Sequence, residues 1–493
     1  MFHAPDPGRM RLRSALRAVL GIGLAVTLSG LVGHSLVAAI TAGLAALLAL
    51  FTVGDPTVRR QAVTTALLPV VGFPVLALAT ALHGHALLRD AAFLAVVGVG
   101  VYARRWGPRG HALGIFAFMA FFMTQFLHAV PAQLPELYTA VALALTASSA
   151  VRFGFWCYER RVPPPVLPVP VPGRRLSRVT TRQAIQATVA SAFALGVGQL
   201  LSEERWYWAV GTVWWIFVNT TSRGETLVRG FRRVAGTLTG IVIGLVVAVE
   251  LDGAPVPTAV LVALCVFGIF YTAAVSYTWM MLAVTVMAGL LYGLLGVLDH
   301  DLLVLRLAET GAGAAGVALA VLLVLPVTTH ATTHAWIHRA VQCVHTCTED
   351  AAARLAGKPD ADPAPGVAEL ELLLGRVRLS LAPLVHPLSP LRGRKARARQ
   401  VLALLDDCAR EIRALAGIAA DAEASHDARL TAACYRVERA VEALTSPDTT
   451  HPETESVLGQ ENAADVAALL HLHAIERALA QLAAPLAARP ASR

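Results

Sequence analysis

Charged residues are scarce in this sequence, since Asp, Glu, Lys and Arg make up only 15% of its 493 residues. A soluble domain carries about a quarter of its residues as charges, so this composition excludes an ordinary soluble protein. Enzyme motifs are lacking as well: the chain contains no Walker A loop, no HExxH, no GxSxG and no Rossmann glycine fingerprint. We therefore expect no enzyme, no cofactor and no ATP bound by this chain. A convincing cleavage site for a secretory signal is also lacking.

Cysteine is rare too. The six cysteines fall in apolar stretches or in segments predicted to be cytoplasmic, so we expect no disulfide. One polar cluster contains three histidines spaced four residues apart, which share a helix face as zinc-binding pairs do. The cluster consists of His330, His334, His338, Cys343, His345 and Cys347. No acidic residue or CxxC completes a metal motif there, so we interpret the segment as a polar helix and predict no metal site.

Apolar stretches fill the first two thirds of the chain, and the mean hydropathy is +0.60. Each stretch has about 20 residues, enough for a helix to span the roughly 30 Å hydrocarbon core of a bilayer. We predict an all-α polytopic membrane protein with twelve transmembrane helices. The predicted spans are 15–33, 35–53, 62–82, 86–103, 111–130, 134–155, 183–202, 206–222, 232–250, 256–275, 278–298 and 304–326.

Arginines concentrate in every second loop between these spans, with the pairs Arg59-Arg60 and Arg232-Arg233 as examples. The positive-inside rule then predicts that both termini are cytoplasmic and that the protein lies in the cell membrane. The net charge of +8 at pH 7 belongs to these loops. It indicates contact with the headgroups of anionic membrane lipids, and no nucleic-acid partner is expected.

A proline-rich segment divides the predicted spans into two groups of six. Both groups show the same arginine placement at an offset of about 170 residues, which indicates two parallel repeats of the kind found in transporters. The alternative is that hydrophobic spans resemble one another in any case. We predict a first repeat at 1–156, a linker at 157–181, a second repeat at 182–328 and a cytoplasmic helical bundle at 329–493. A homodimer is compatible with this layout.

The second repeat carries the most specific motif. An aromatic span is followed by an arginine-rich loop and then by small residues at helical spacing, and the motif consists of Tyr207, Trp208, Ala209, Thr212, Arg229, Arg233, Gly236, Thr237 and Gly240. This pattern resembles the fusaric acid resistance protein family, also called aromatic acid exporters, over residues 182–250. The plant aluminium-activated malate transporters look like more distant relatives.

The resemblance implies a secondary transporter that exports aromatic or other small organic carboxylates and couples export to protons. Two alternatives stay open: a passive organic-anion channel, and a membrane scaffold or sensor whose cytoplasmic domain binds a partner. Candidate substrate-binding residues are Tyr207, Trp208, Thr212, Arg223, Arg229 and Arg233. The aromatic residues are also typical of an interfacial belt, and the arginines of lipid anchors.

Two further features of the second repeat have competing interpretations. Gly236, Gly240 and Gly244 recur every four residues, which favours close helix packing, whereas a helix break at an ion site is the alternative. Glu309 lies within a predicted span and is a candidate proton carrier, because an acid at membrane depth is costly. A local ion pair with Arg306, three residues earlier, is the other interpretation.

Overall fold

The computed structural model describes residues 9–159, 178–218, 220, 223–251, 254–294, 296, 300–325, 329–356, 358, 360–385, 392–421, 428–445 and 463–487. Within these ranges all regular structure is helical and no strand occurs. The predicted all-α class is therefore confirmed. The chain divides into two compact units, the first with helices α1–α12 and the second with helices α13–α17.

The first unit is built around one large core of apolar side chains. Its helices are α1 (Met10–Leu31), α2 (Leu36–Thr52), α3 (Val58–Ala81), α4 (Ala86–Ala103), α5 (Gly107–Phe126), α6 (Leu134–Glu159), α7 (Val179–Leu201), α8 (Tyr207–Phe217), α9 (Arg223–Leu251), α10 (Pro255–Thr272), α11 (Tyr277–Leu294) and α12 (His300–Leu323).

The second unit is a helical bundle with its own apolar core, to which all five helices contribute. Its helices are α13 (Thr329–Leu355), α14 (Ala364–Val385), α15 (Arg392–Asp421), α16 (Ala428–Thr445) and α17 (Ala463–Ala487). Burial raises the pKa of the Cys408 thiol to about 12 and that of Cys434 to about 11. Thiols with such pKa values are protonated and unreactive at neutral pH.

Nine helical segments in the described residues are long and apolar enough to cross a membrane. This confirms the coarser prediction, a membrane protein with many spans. The twelve spans stay a prediction, because α2 is a shorter apolar helix, α8 has only 11 residues, and α4 and α5 form one segment, Ala86–Phe126. The two-repeat layout stays a prediction as well.

The segment Ala86–Phe126 reverses direction in its middle. A 3-10 turn at Arg104–Trp106 leads to Gly107, whose φ of 75° lies in the left-handed region that favours glycine. An added Cβ on Gly114 would lie 2.4 Å from the carbonyl oxygen of Gly100, so the two helices touch there. In one straight helix these glycines would be about 21 Å apart. The segment therefore forms an antiparallel helix pair.

Helix α8 is shorter than the predicted span 206–222, because it ends at Phe217 after 11 residues. The following sequence, Asn219 to Ser222, contains only side chains that compete with helical backbone hydrogen bonds. Arg104 of the first half donates hydrogen bonds to the carbonyl oxygens of Phe217 (3.1 Å) and Thr220 (3.2 Å). These bonds satisfy acceptors that the end of the helix leaves free.

Helix α9 packs closely against α11 along its glycine face. An added Cβ on Gly236 would lie 2.7 Å from the carbonyl oxygen of Thr278, and one on Gly240 would lie 2.7 Å from the Cβ of Thr285. At Gly244 the nearest atom is 3.6 Å away, an ordinary contact. The structure thus places the first two glycines where the backbones approach most closely.

We expect Gly236→Ala to destabilise the protein and Gly244→Ala, its matched control on the same helix face, not to. Alanine gains about 1 kcal/mol of helix propensity over glycine. Overpacking against α11 costs about 1–3 kcal/mol and outweighs that gain at Gly236. Thermal unfolding of the purified protein in detergent measures both variants. Equal melting temperatures for the two would contradict the close α9–α11 contact.

Candidate functional site

A cavity of about 100 Å³ lies inside the first unit, among α2, α5, α8, α9, α10 and α11. Its walls are almost entirely apolar. Five aromatic side chains line it, namely Phe51, Phe122, Phe126, Trp208 and Trp215. The volume is of the order of the ~150 Å³ cavity that holds one benzene molecule. The cavity therefore suits a small ligand with an apolar or aromatic body.

The aromatic walls are held by ring contacts of α8 with α2 and α5. Trp208 of α8 meets Phe122 of α5 edge-on, with ring centroids 5.1 Å apart and an interplanar angle of 78°. Trp215 meets Phe51 of α2 in the same way, at 6.5 Å and 76°. Such edge-to-face pairs are the favoured arrangement of aromatic rings. Both ends of α8 are thus fixed against the first half.

Among the described residues one charged side chain lines the cavity, Arg233 of α9, and it is only 3% exposed. Its guanidinium donates to the sulfur of Met281, a weak acceptor, while its Nε has no hydrogen-bond partner. Within the described residues no carboxylate pairs with it. A buried cation without a counter-ion is costly. The cavity therefore presents one planar, unneutralised cation to whatever occupies it, and a carboxylate matches that geometry.

The other two predicted arginines lie earlier on α9 and are progressively more exposed. Arg229, one turn before Arg233, is half-buried, and its ζ carbon lies 4.1 Å from the centroid of the Tyr277 ring. The hydroxyl of Tyr277 donates to the carbonyl oxygen of Trp215 at 3.0 Å. Arg223 begins the helix and is exposed. The positive charge thus extends from the helix start to the cavity wall.

A second charged side chain, Arg306 of α12, lies near the first turn of α8. The indole Nε1 of Trp208 donates to the hydroxyl of Tyr292 at 2.6 Å. The ζ carbon of Arg306 lies 3.7 Å from the centroid of the Trp208 ring, a close cation–π contact. Arg306 is 5% exposed, and its Nη1 has no hydrogen-bond partner.

Glu309 lies one turn after Arg306 on α12 and is 1% exposed. Its Oε1 has no hydrogen-bond partner. In the described part of the chain no ion pair joins the two side chains, and Arg306 faces the Trp208 ring instead. A buried carboxyl without a close counter-ion favours the neutral, protonated form, because burial penalises the charge.

Tyr207 and Thr212 lie beside the cavity and do not line it. Tyr207 is buried and contacts Phe122 edge-on at 5.4 Å. Thr212 faces α12, where an added Cβ on Gly313 would lie 2.7 Å from the Thr212 Cβ. The structure thus gives these two residues packing contacts, while Trp208 and Arg233 reach the cavity itself.

The part of the site that α2 and α5 contribute is not among the residues predicted from the sequence. Phe51, Phe122 and Phe126 come from α2 and α5, far from the motif in sequence. One signal was present: phenylalanine recurs every four residues at 118, 122 and 126, which indicates a single aromatic helix face. Tyr277 and Tyr292 on α11 carried no such pattern.

The histidine cluster lies in the second unit. His334 is exposed and His338 half-buried, and the side chain of His330 lies outside the described residues. Ligand atoms of His345, Glu349 and Glu438 lie within 4.8 Å of one another at the surface, an arrangement that is common without a metal ion. A hydrogen bond with Cys347 lowers the pKa of the Cys343 thiol.

Comparison with known proteins finds one family segment, which covers the part of the site on α8, α9, α11 and α12. Residues 193–321 match the model of a family described as fusaric acid resistance protein-like. The match runs from α7 into α12 and includes Trp208, Arg233 and Glu309. It confirms, over these residues, the resemblance that the motif predicts. The comparisons with curated proteins and with solved structures found no match.

Proposed function

We propose that this multi-span membrane protein, whose residues 193–321 form a fusaric acid resistance protein-like domain, exports small aromatic carboxylates by a proton-coupled mechanism. The observation that carries this proposal is the cavity, which combines aromatic walls with one buried, unneutralised guanidinium. An aromatic ring fits the walls and a carboxylate pairs with Arg233. A neutral aromatic molecule lacks the second interaction, and an inorganic anion lacks the first.

The graded arginines of α9 support an approach route for the anion. Arg223 is exposed, Arg229 is half-buried and Arg233 is buried at the cavity. Positive charge along such a route raises the local concentration of anions and speeds their capture. In the orientation that the arginine-rich loops predict, α9 starts on the cytoplasmic side of the membrane.

Glu309 is our candidate for the proton carrier. A group that carries a proton through a membrane has to exist in both protonation states during the cycle. Glu309 is buried, lies near the buried Arg306 and keeps one carboxyl oxygen unpartnered. A neutral carboxyl is compatible with this position, and an ionised one would need Arg306 as its counter-ion.

Transport into inverted membrane vesicles tests the proposed substrate class. With a vesicle interior more acidic than the medium, we expect labelled benzoate to accumulate inside through the protein. Uncharged benzoic acid that permeates the lipid accumulates on the alkaline side, so passive distribution has the opposite sign. Benzamide, with the same ring and no charge, is the matched control and should not accumulate. Absence of accumulation for every aromatic acid tested would reject the proposal.

A further inference from the structure

We propose that Trp208 is a gate of the cavity, that Arg306 holds it closed while Glu309 is protonated, and that ionised Glu309 releases it by drawing Arg306 away. This inference rests on the proposed function and names the side chain that moves, Trp208. Arg306 is then a positioning residue for Trp208, not a binding residue for the substrate.

The position of Trp208 fits a gate. It lines the cavity in the first turn of α8 and is half-buried, whereas its neighbours Trp206 and Tyr207 are buried. The exposed residues Glu203 and Glu204 precede it by a few positions. Trp208 therefore lines the cavity from the end of α8 that adjoins the α7–α8 loop, and its side chain is partly exposed there.

Besides its ring contacts, two polar contacts hold the indole in place. Its Nε1 donates to the Tyr292 hydroxyl at 2.6 Å, which fixes the edge of the ring. The Arg306 guanidinium covers the ring, with its ζ carbon 3.7 Å from the centroid. A desolvated cation–π contact of this kind is among the stronger ones. Losing the Arg306 contact leaves the indole held by one hydrogen bond and by its edge contacts with Phe122 and Phe126.

Arg306 cannot stay where it is and also pair with Glu309. The two side chains are one turn apart on α12, at a spacing that permits a contact. They nevertheless make no ion pair, and each keeps one unpartnered atom, Arg306 Nη1 and Glu309 Oε1. A buried carboxylate is strongly destabilised without a counter-ion. Ionisation of Glu309 therefore favours a rotation of Arg306 off the ring and onto the carboxylate.

The other groups that face Glu309 do not replace Arg306. Arg205, in the chain before α8, also acts on it electrostatically, but its ζ carbon lies 5.7 Å from the centroid of the Tyr292 ring. Tyr207 of α8 and Tyr292 of α11 also lie close enough to interact with Glu309, and a phenol cannot serve as its counter-ion. Helices α7 and α9 also pack on α12, and their described residues bring no charge to Glu309.

The test measures access to the cavity, which does not require transport. Ala288→Cys places a thiol in the cavity wall. A charged, membrane-impermeant methanethiosulfonate is added to right-side-out or to inverted vesicles of the full-length protein. Rates are normalised to free cysteine at the same pH, and labelling of the six native cysteines is subtracted with the parent protein.

When the reagent is added on the side of the membrane nearer to Trp208, we expect the labelling rate to rise about tenfold as the pH is raised through the titration of Glu309. A rise of this size corresponds to the loss of a buried cation–π contact. Adding Glu309→Gln keeps labelling at the slow, acidic rate at every pH. Adding Arg306→Gln makes it fast and independent of pH, also when Glu309→Gln is present. Arg205→Gln, the neighbouring cation, is the control and keeps the pH step.

Two results would overturn the gate. One is a pH step that persists in Arg306→Gln, and the other is slow labelling of Arg306→Gln at every pH. Each variant is also labelled from the opposite side of the membrane. In a folded variant the labelling rate from that side stays the same as in the parent protein. If benzoate is not transported but the labelling pattern holds, the proposed function fails and the gate stands.

Discussion

Arg233→Ala is expected to weaken benzoate binding by about 2 kcal/mol or more, which is roughly 30-fold in affinity. Among the described residues the guanidinium is the one charged group on the cavity wall, and no described carboxylate pairs with it. Removing it takes away a strong attraction for the ligand's carboxylate. Removal of an unneutralised buried charge is not costly by itself, and a melting temperature for the purified variant separates lost packing from lost binding. Equilibrium binding of labelled benzoate to the purified protein measures the effect.

Three further variants separate the roles of the α9 arginines. Arg232→Ala is the matched control: Arg232 is adjacent in sequence but exposed, and its removal should leave affinity unchanged. Arg233→Lys keeps the charge and loses the planar fork, so its affinity should fall between wild type and Arg233→Ala. Arg229→Ala should have a smaller effect that shrinks at high salt, because the side chain is half-buried. Unchanged affinity in both Arg229→Ala and Arg233→Ala would make these residues lipid anchors.

Glu309→Gln should abolish pH-driven accumulation of benzoate. Glutamine keeps the shape of the side chain and its hydrogen-bonding capacity but cannot exchange a proton. Exchange of benzoate between two equal pools should continue at the rate that the wild type shows at acidic pH, and it should no longer depend on pH. Both quantities are measured with purified protein in liposomes.

Arg306→Ala tests the structural alternative for the same residue. If Glu309 serves only as a partner in a structural ion pair, either variant should lower the melting temperature by a similar amount. The contacts predict a different outcome, because Arg306 lies over Trp208 and makes no ion pair with Glu309. Normal pH-driven accumulation by Glu309→Gln would show that this residue is not the coupling site.

The helical class and the family segment were predictable, because hydropathy and the motif at 207–240 are local properties of the sequence. Arg233 was also found this way, since it belongs to that motif. Helix α8 was predicted too long, because averaging over a window of about 20 residues hides the four polar residues from Asn219 to Ser222. The end of the helix becomes clear only from the hydrogen bonds of its last carbonyl oxygens. At the end of α8, Arg104 donates to the carbonyl oxygen of Phe217.

The site itself depends on contacts that spacing along the chain does not reveal. Phe51 and Phe122 reach the cavity because α2 and α5 pack near α8, and no local pattern joins these segments. The contact of Arg306 with Trp208 joins residues almost 100 positions apart. The sequence alone left open both a pair between Arg306 and Glu309 and a proton carrier, because i, i+3 neighbours on a helix are the nearest candidates for a pair.

The proton flux that accompanies benzoate movement tests the central claim most directly. Benzoate is added outside inverted vesicles of the wild-type protein with the membrane potential clamped at zero, and the internal pH is followed. Proton-coupled export predicts that the interior becomes more alkaline, because protons leave as benzoate enters, and that this change is absent in Glu309→Gln. Passive permeation of benzoic acid would instead acidify the interior. A benzoate current that reverses at the benzoate equilibrium potential, without any alkalinisation, would contradict the account and identify a channel.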